Sequence, residues 1–271
     1  IQALHGFEPT TTDAAVLATL TKAKAYSRRM GITYEELVRL LATKFINPAS
    51  VLIPRLERLA VPFSTLKALK DGTITDGEFD ALLPAGLDPA EYGGDIKAWI
   101  KDATNHARIM SLVTLTNTTD ELDTCNFDAF ELRYSNPNAT ANRLTRVEFV
   151  KLLRFVRLWK KLGWSIEQTD KMITALYPPA QLPVGTTEAD DLLRLDTGFS
   201  ALLPRVGVLA GIMERLGTEP DKDLASLLAC FAPIDMHGSD RVTAPKGVQV
   251  RSLYRAMFLN PAMLASDPAF A

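Results

Sequence analysis

Glu78 follows Gly72 at the interval that separates the turn glycine from the bidentate glutamate of an EF-hand calcium loop. The run Lys70-Asp71-Gly72-Thr73-Ile74-Thr75-Asp76-Gly77-Glu78-Phe79 imitates the second half of such a loop. With Gly72 at loop position 6, positions 1 and 3 fall on Lys67 and Leu69. Calcium needs oxygen ligands at both, and a lysine adds a repelling charge. The stretch therefore reads as a tight turn joining two short helices, and calcium is expected to have no effect.

The remaining chemistry-bearing residues are dispersed. His5, His106 and His237 have no second ligand at metal spacing. Cys125 and Cys230, without CxxC spacing, cannot on their own form a disulfide scaffold or a zinc site, and two buried or half-buried thiols are expected rather than a disulfide. No G-x-S-x-G, P-loop or G-x-G-x-x-G occurs. No catalytic, cofactor-binding or metal-ligating residue is singled out, and the chain reads as a non-enzyme. Asn117-Thr118-Thr119 and Asn138-Ala139-Thr140 are formal glycosylation sequons, otherwise two polar loops.

Met30-Gly31-Ile32-Thr33-Tyr34-Glu35-Glu36-Leu37 has the form of a helix-turn-helix turn. Its second helix would present Glu35 and Glu36 where base contacts are made, so carboxylates would face a polyanion. The net charge of -2 supplies no general attraction to nucleic acid or an anionic membrane either. Nucleic-acid binding is the weaker alternative for this turn, and architecture the stronger.

The strongest electrostatic feature is a helix expected from Arg143 to Leu162. At about 100° per residue, Arg143, Arg146, Arg154, Arg157 and Lys161 form one stripe, with Phe149, Leu152, Leu153, Phe155, Val156, Trp159 and Leu162 opposite. Glu148 is the one acid along it. The stripe is either an ordinary solvated face or a salt-bridged contact with an acidic neighbour, and it is the candidate interaction face.

These residues must be carried by helices. Asp13 to Met30 is periodic, Gly31 stops it, and Thr33 with Glu36 forms a capping box opening a helix through Leu37 and Leu41 to Phe45, closed by Asn47-Pro48. The same order recurs at Leu162-Gly163-Trp164-Ser165, with Gln168 in the box and an end at Tyr177-Pro178. It recurs again at Leu216-Gly217, with Pro220 opening a helix that ends at Pro233. Each copy is a helical hairpin that must bury its apolar face on a neighbour. Short helices are expected at Ser64–Lys70 and Asp76–Leu83, and a longer one after Gly93-Gly94 through Ile109. The polar stretch from Leu115 to Asn126, with Tyr134 to Asn142, marks a soft subdivision near 116–142 of one helical region, 1–271. Val242–Val250 is the other plausible strand material. The fold class is all-α, an irregular array of packed helical hairpins with little or no sheet.

Hydrophobic residues make up 47% of the chain, enough for a sizeable core. No apolar run approaches the roughly 18 residues of a membrane span. The start, Ile1-Gln2-Ala3-Leu4-His5-Gly6, is not a signal peptide, and the chain is expected to begin inside a longer protein.

Four ordered stretches resemble one family. They are Gly31–Val38 through Phe45-Ile46-Asn47-Pro48, Leu153–Ser165, Phe231-Ala232-Pro233-Ile234-Asp235, and Ser252-Leu253-Tyr254-Arg255-Ala256-Met257-Phe258-Leu259-Asn260-Pro261. They look like the A subunit of bacterial insecticidal toxin complexes, in its virulence-plasmid-A-like helical region, over about Gly31 to Pro261. The resemblance implies a piece of a very long, secreted or cell-surface subunit that forms a pentameric, bell-shaped translocation device. A helical shell would enclose its channel and open on a pH change. The family's channel helices and partner-binding region lie elsewhere, so no membrane insertion by this segment is implied. The implied partners are other domains and protomers of the parent. The resulting expectation is a non-catalytic, virulence-associated structural segment of a toxin's helical shell. The alternative is a helical adaptor for protein partners.

Overall fold

The computed structural model describes residues 14–118 and 127–232. Among them the chain is mostly helical, with one two-stranded sheet. Two compact units divide at Arg154/Phe155. The division falls within a helix, and the sheet lies in the first unit.

The first unit opens with α1 (Ala14–Thr21), α2 (Ala23–Met30) and α3 (Tyr34–Leu41). Gly31, at φ 62°, lets the Ile32 N–H reach back to the Ser27 carbonyl at 3.0 Å. Two residues later the Thr33 hydroxyl accepts from Glu36 N–H (3.1 Å) and the Glu36 carboxylate accepts from Thr33 N–H (2.8 Å). This is the capping box expected from the sequence. The helix stops at Leu41 rather than Phe45, because side chains take over its last carbonyls. Thr43 donates to Leu40 O (2.6 Å), and the Asn47 amide donates to Leu41 O (2.7 Å).

Asn47 is 2% exposed and fully used. Its amide also donates to Val113 O (2.8 Å), while its side-chain oxygen accepts from Val113 N–H (2.8 Å). The side chain thus pairs like a strand residue with the first residue of β1 (Val113–Asn117). An antiparallel partner, β2 (Phe130–Tyr134), sets Leu115 opposite Leu132, which is fully buried. Single bridges from Lys22 to Glu131 and from Arg143 to Arg133 occupy further positions on β2. Within that polar stretch, Leu115–Asn117 belong to a Thr-rich strand whose side chains are half-buried.

Between these lie α4 (Ile53–Leu59), α5 (Phe63–Asp71), α6 (Asp76–Asp80), α7 (Ile96–Lys101) and α8 (Ala103–Met110). They bury one core around Leu56, Leu59, Leu66, Leu69, Phe79, Tyr92, Ile100 and Ile109. The helix expected after Gly93-Gly94 is broken in two, because Asp102 caps α8 by accepting from Asn105 N–H (2.9 Å). Phe63–Asp71 and Asp76–Asp80 stand where the two short helices were expected.

α9 (Arg146–Leu162) runs across the division. In the second unit α10 (Ile166–Leu176), α11 (Glu188–Leu216) and α12 (Pro220–Phe231) follow. Gly163 turns the chain at φ 70° without a steric obstacle, and the Ser165–Gln168 box opens α10. Gly217 turns α11 into α12, which has Pro220 in its first turn. The length of α11, 29 residues, was not foreseen. It buries Leu195, Phe199, Leu202, Val206, Leu209 and Met213, spaced alternately by four and three. By length and by the mean hydropathy of 1.2 in one 18-residue window, it could cross a membrane, although the sequence holds no uninterrupted apolar run of that length. The buried seam gives the same composition a packing role. Val242–Val250 and Pro233 lie outside the described residues.

Gln168 joins two hairpins. Its oxygen accepts from Ser165 N–H (2.8 Å) while its amide donates to the Asp221 carboxylate in the first turn of α12 (2.6 Å). Glutamate would keep the box and lose the second bond. Gln168→Glu is therefore expected to lower stability at pH 7 by about 0.5–1 kcal/mol, since two carboxylates would face each other near the surface. Urea titrations should show the difference fading as pH falls through the carboxylate range.

Candidate functional site

The EF-hand-like run is a second version of the hairpin turn. Gly72 follows α5 at φ 72°, and Thr73 N–H reaches the Ala68 carbonyl at 2.9 Å. Thr75 then opens α6. Its hydroxyl accepts from Glu78 N–H (3.2 Å), and the Glu78 carboxylate accepts from Thr75 N–H (2.7 Å) and the Thr75 hydroxyl (2.8 Å). Asp71 pairs with Lys67 and Asp76 with Lys101. Each acid that could face a cation is thus engaged by a helix end or a lysine. Among the described residues, no group of three or more His, Cys, Asp and Glu could hold a metal ion.

The helix-turn-helix-like turn is likewise built on a capping box. Glu36 closes the capping box, and Tyr34, at the start of α3, packs edge-on against Phe127 with ring centroids 5.0 Å apart. The end of α3 that would enter a DNA groove therefore has aromatic neighbours of its own.

The basic stripe is not one uniform face. Arg143 precedes the helix and lies in an extended segment bridged to Arg133, because α9 begins only at Arg146. Arg146 and Arg154 are half-buried, whereas Arg143, Arg157 and Lys161 are exposed. Arg157 and Lys161, one turn apart, have no ion pair among the described residues. Glu148 does not neutralise the stripe: the hydroxyls of Thr145 and Tyr134 both donate to it. Burial, with Glu148 beside it, drives the Tyr134 hydroxyl well above its ordinary range. Lys151, on the same helix, is 7% exposed; its ammonium donates to Ile46 O (3.0 Å) and lies 5.7 Å from the centre of the Phe45 ring. Sequence reading could count Lys151 as a charge but had no signal that it points into the protein.

The other expected candidates are separate. His106 is half-buried, with its Nδ1 buried and lacking a hydrogen-bond partner. Desolvation, then Lys70, holds its pKa below the ordinary value. Cys230 is a half-buried free thiol. His5, His237 and Cys125 lie outside the described residues. Asn117 ends β1, and the Asn138 side chain closes a turn onto Thr140.

A feature missed in the sequence is an apolar groove in the second unit, about 310 Å³ in volume, formed by the ends of α10 and α12 and the middle of α11. Its walls include Leu176, Pro204, Val208, Ile212, Leu228 and Phe231. Val208 and Phe231 are 63% and 62% exposed. The signal lay in Val208 and Ile212, which fall outside the seam of α11. Comparisons with protein-family models, curated proteins and solved structures found no match.

The hydrogen bonds from Thr75 hold the Glu78 carboxyl below its ordinary value of 4.5. A depressed carboxyl stabilises the fold above the unfolded value and loses that contribution as pH falls through the folded one. Thr75→Ala is therefore expected to lower the melting temperature at pH 7, and the gap from the parent sequence should narrow below pH 4.5. A gap independent of pH would show that the box contributes nothing through Glu78.

Proposed function

We propose that this chain acts by packing rather than by chemistry, as a non-catalytic wall segment of the helical shell of a bacterial toxin's translocation subunit. The observation that carries this reading is where its polar side chains are used. Asn47, Glu36, Glu78, Gln168 and Asp191 each bind backbone groups at helix ends or turns. That is the work of a scaffold that reverses helices at short intervals. The resemblance of the stretches around Gly31, Trp159 and Tyr254 to toxin A subunits supports the choice of parent. In that setting the partners are other domains and protomers of the same subunit. The exposed pair Arg157 and Lys161 is suited to an acidic neighbour, in a contact weakened by salt. A second reading, a helical adaptor for protein partners, is favoured by the apolar groove.

The test uses the full-length parent. Arg157→Glu with Lys161→Glu is expected to impair assembly of an oligomeric bell, or to shift the pH at which it opens, as followed by electron microscopy. Unchanged assembly and opening would remove the role of this pair. A parent that never forms such an oligomer would remove the shell reading and leave the adaptor.

A further inference from the structure

The apolar groove sits where the described chain ends. Phe231, the last residue of α12, is one of its walls, and residues 233–271 continue directly from Ala232 beside it. Across the groove, α11 contributes Pro204, Val208 and Ile212, and α10 contributes Leu176. Leu228 forms its floor and is fully buried. Arg205 reaches from α11 to the Leu176 carbonyl (2.6 Å), which satisfies the end of α10 and holds that wall in place. A contiguous apolar surface of this kind marks a place where something apolar binds.

The continuing sequence supplies a match. Val250, Leu253, Tyr254, Met257 and Phe258 recur at i, i+3, i+4, i+7 and i+8, the spacing of one apolar helix face. Arg251, Ser252 and Arg255 fall off that face. Anchors at this spacing are what a groove between helices accepts.

We propose that the segment Val250–Phe258 docks its apolar stripe in the groove of α10, α11 and α12 within the same chain. Tethering decides between this occupant and a second copy. Two surfaces joined through one chain meet at an effective concentration on the order of millimolar. A free second copy at ordinary micromolar concentration competes at a large disadvantage. The stretch from Ala232 to Val250 can extend over several tens of ångströms, so reach does not limit docking. The proposal is independent of the parent's identity, since it rests on the groove and on this chain's own sequence.

The test is photo-cross-linking in the intact chain. Position 208 carries p-benzoylphenylalanine, and an equal mixture of isotopically light and heavy protein distinguishes cross-links within a chain from those between chains. The expected result is an intrachain cross-link to a peptide within residues 250–258. Met257→Asp with Phe258→Asp should reduce its yield by about tenfold or more. Ser252→Asp, off the stripe, should leave it intact, and an unchanged far-UV CD spectrum would show that these variants keep the fold. Mixed-isotope cross-links would assign the groove to a second copy and overturn the proposal. So would the absence of any cross-link to 250–258, or a yield indifferent to the Met257 and Phe258 changes.

Discussion

Every helix leaves its first amides and last carbonyls without partners inside the helix, and a chain that reverses direction every ten residues or so accumulates such ends. The described residues meet this constraint with one recurring solution. A glycine at positive φ takes the chain past the helix end, and the amides around it bond backward into the last turn. At Gly31, Gly72 and Gly217 the amide of the following residue reaches the carbonyl five residues earlier, and at Gly163 the glycine amide itself bonds Trp159 O. The next helix then opens with a hydroxyl and a carboxylate or amide exchanging bonds with two orphan amides, at Thr33, Thr75 and Ser165. At α12 the N-cap is Glu219 rather than Ser or Thr, and Asp223 accepts from Glu219 N–H (2.9 Å) in place of the box.

The consequence for function is that polar side chains are committed to the backbone. Asn47 ties the end of α3 to β1 through three bonds, and Lys151 places an ammonium against a backbone carbonyl and an aromatic face. Asp191, 5% exposed, accepts from the amides of Val184 and Gly185 and so fixes the loop before α11. Removing such a group leaves buried donors or acceptors unpaired, which costs about 1–3 kcal/mol for each. Such tied side chains are what the proposed wall role requires. Facing outward are the apolar groove beside Val208 and, elsewhere, the basic pair Arg157 and Lys161.

Local signals were legible, because glycine turns and capping boxes are written within a few consecutive residues. The boxes at Thr33 and Ser165, the turn at Gly217 and the helices that follow them stand where the sequence places them. The turn at Gly72 was read as a join between two short helices, but its capping box was hidden by the likeness to a calcium loop. Features that depend on distant residues were not legible. The β hairpin needed Val113 paired with Tyr134, and the start of α9 needed Arg143 drawn to Arg133. The full span of α11 was obscured by Pro204 and by glycines that usually interrupt helices. The basic stripe followed from periodicity alone, which cannot tell the exposed Arg157 from the half-buried Arg154.

If these turns hold the scaffold, their amides must be as well protected as the helices they join. Native-state hydrogen exchange read by NMR addresses this directly, at Ile32, Thr73 and Thr218 just after the glycines and at Glu36, Glu78 and Gln168 inside the boxes. The account expects these amides to exchange together with the interior amides of the helices they join, through one shared opening. Exchange at these six positions near the rate of an unstructured peptide, while the helix interiors stay protected, would contradict it.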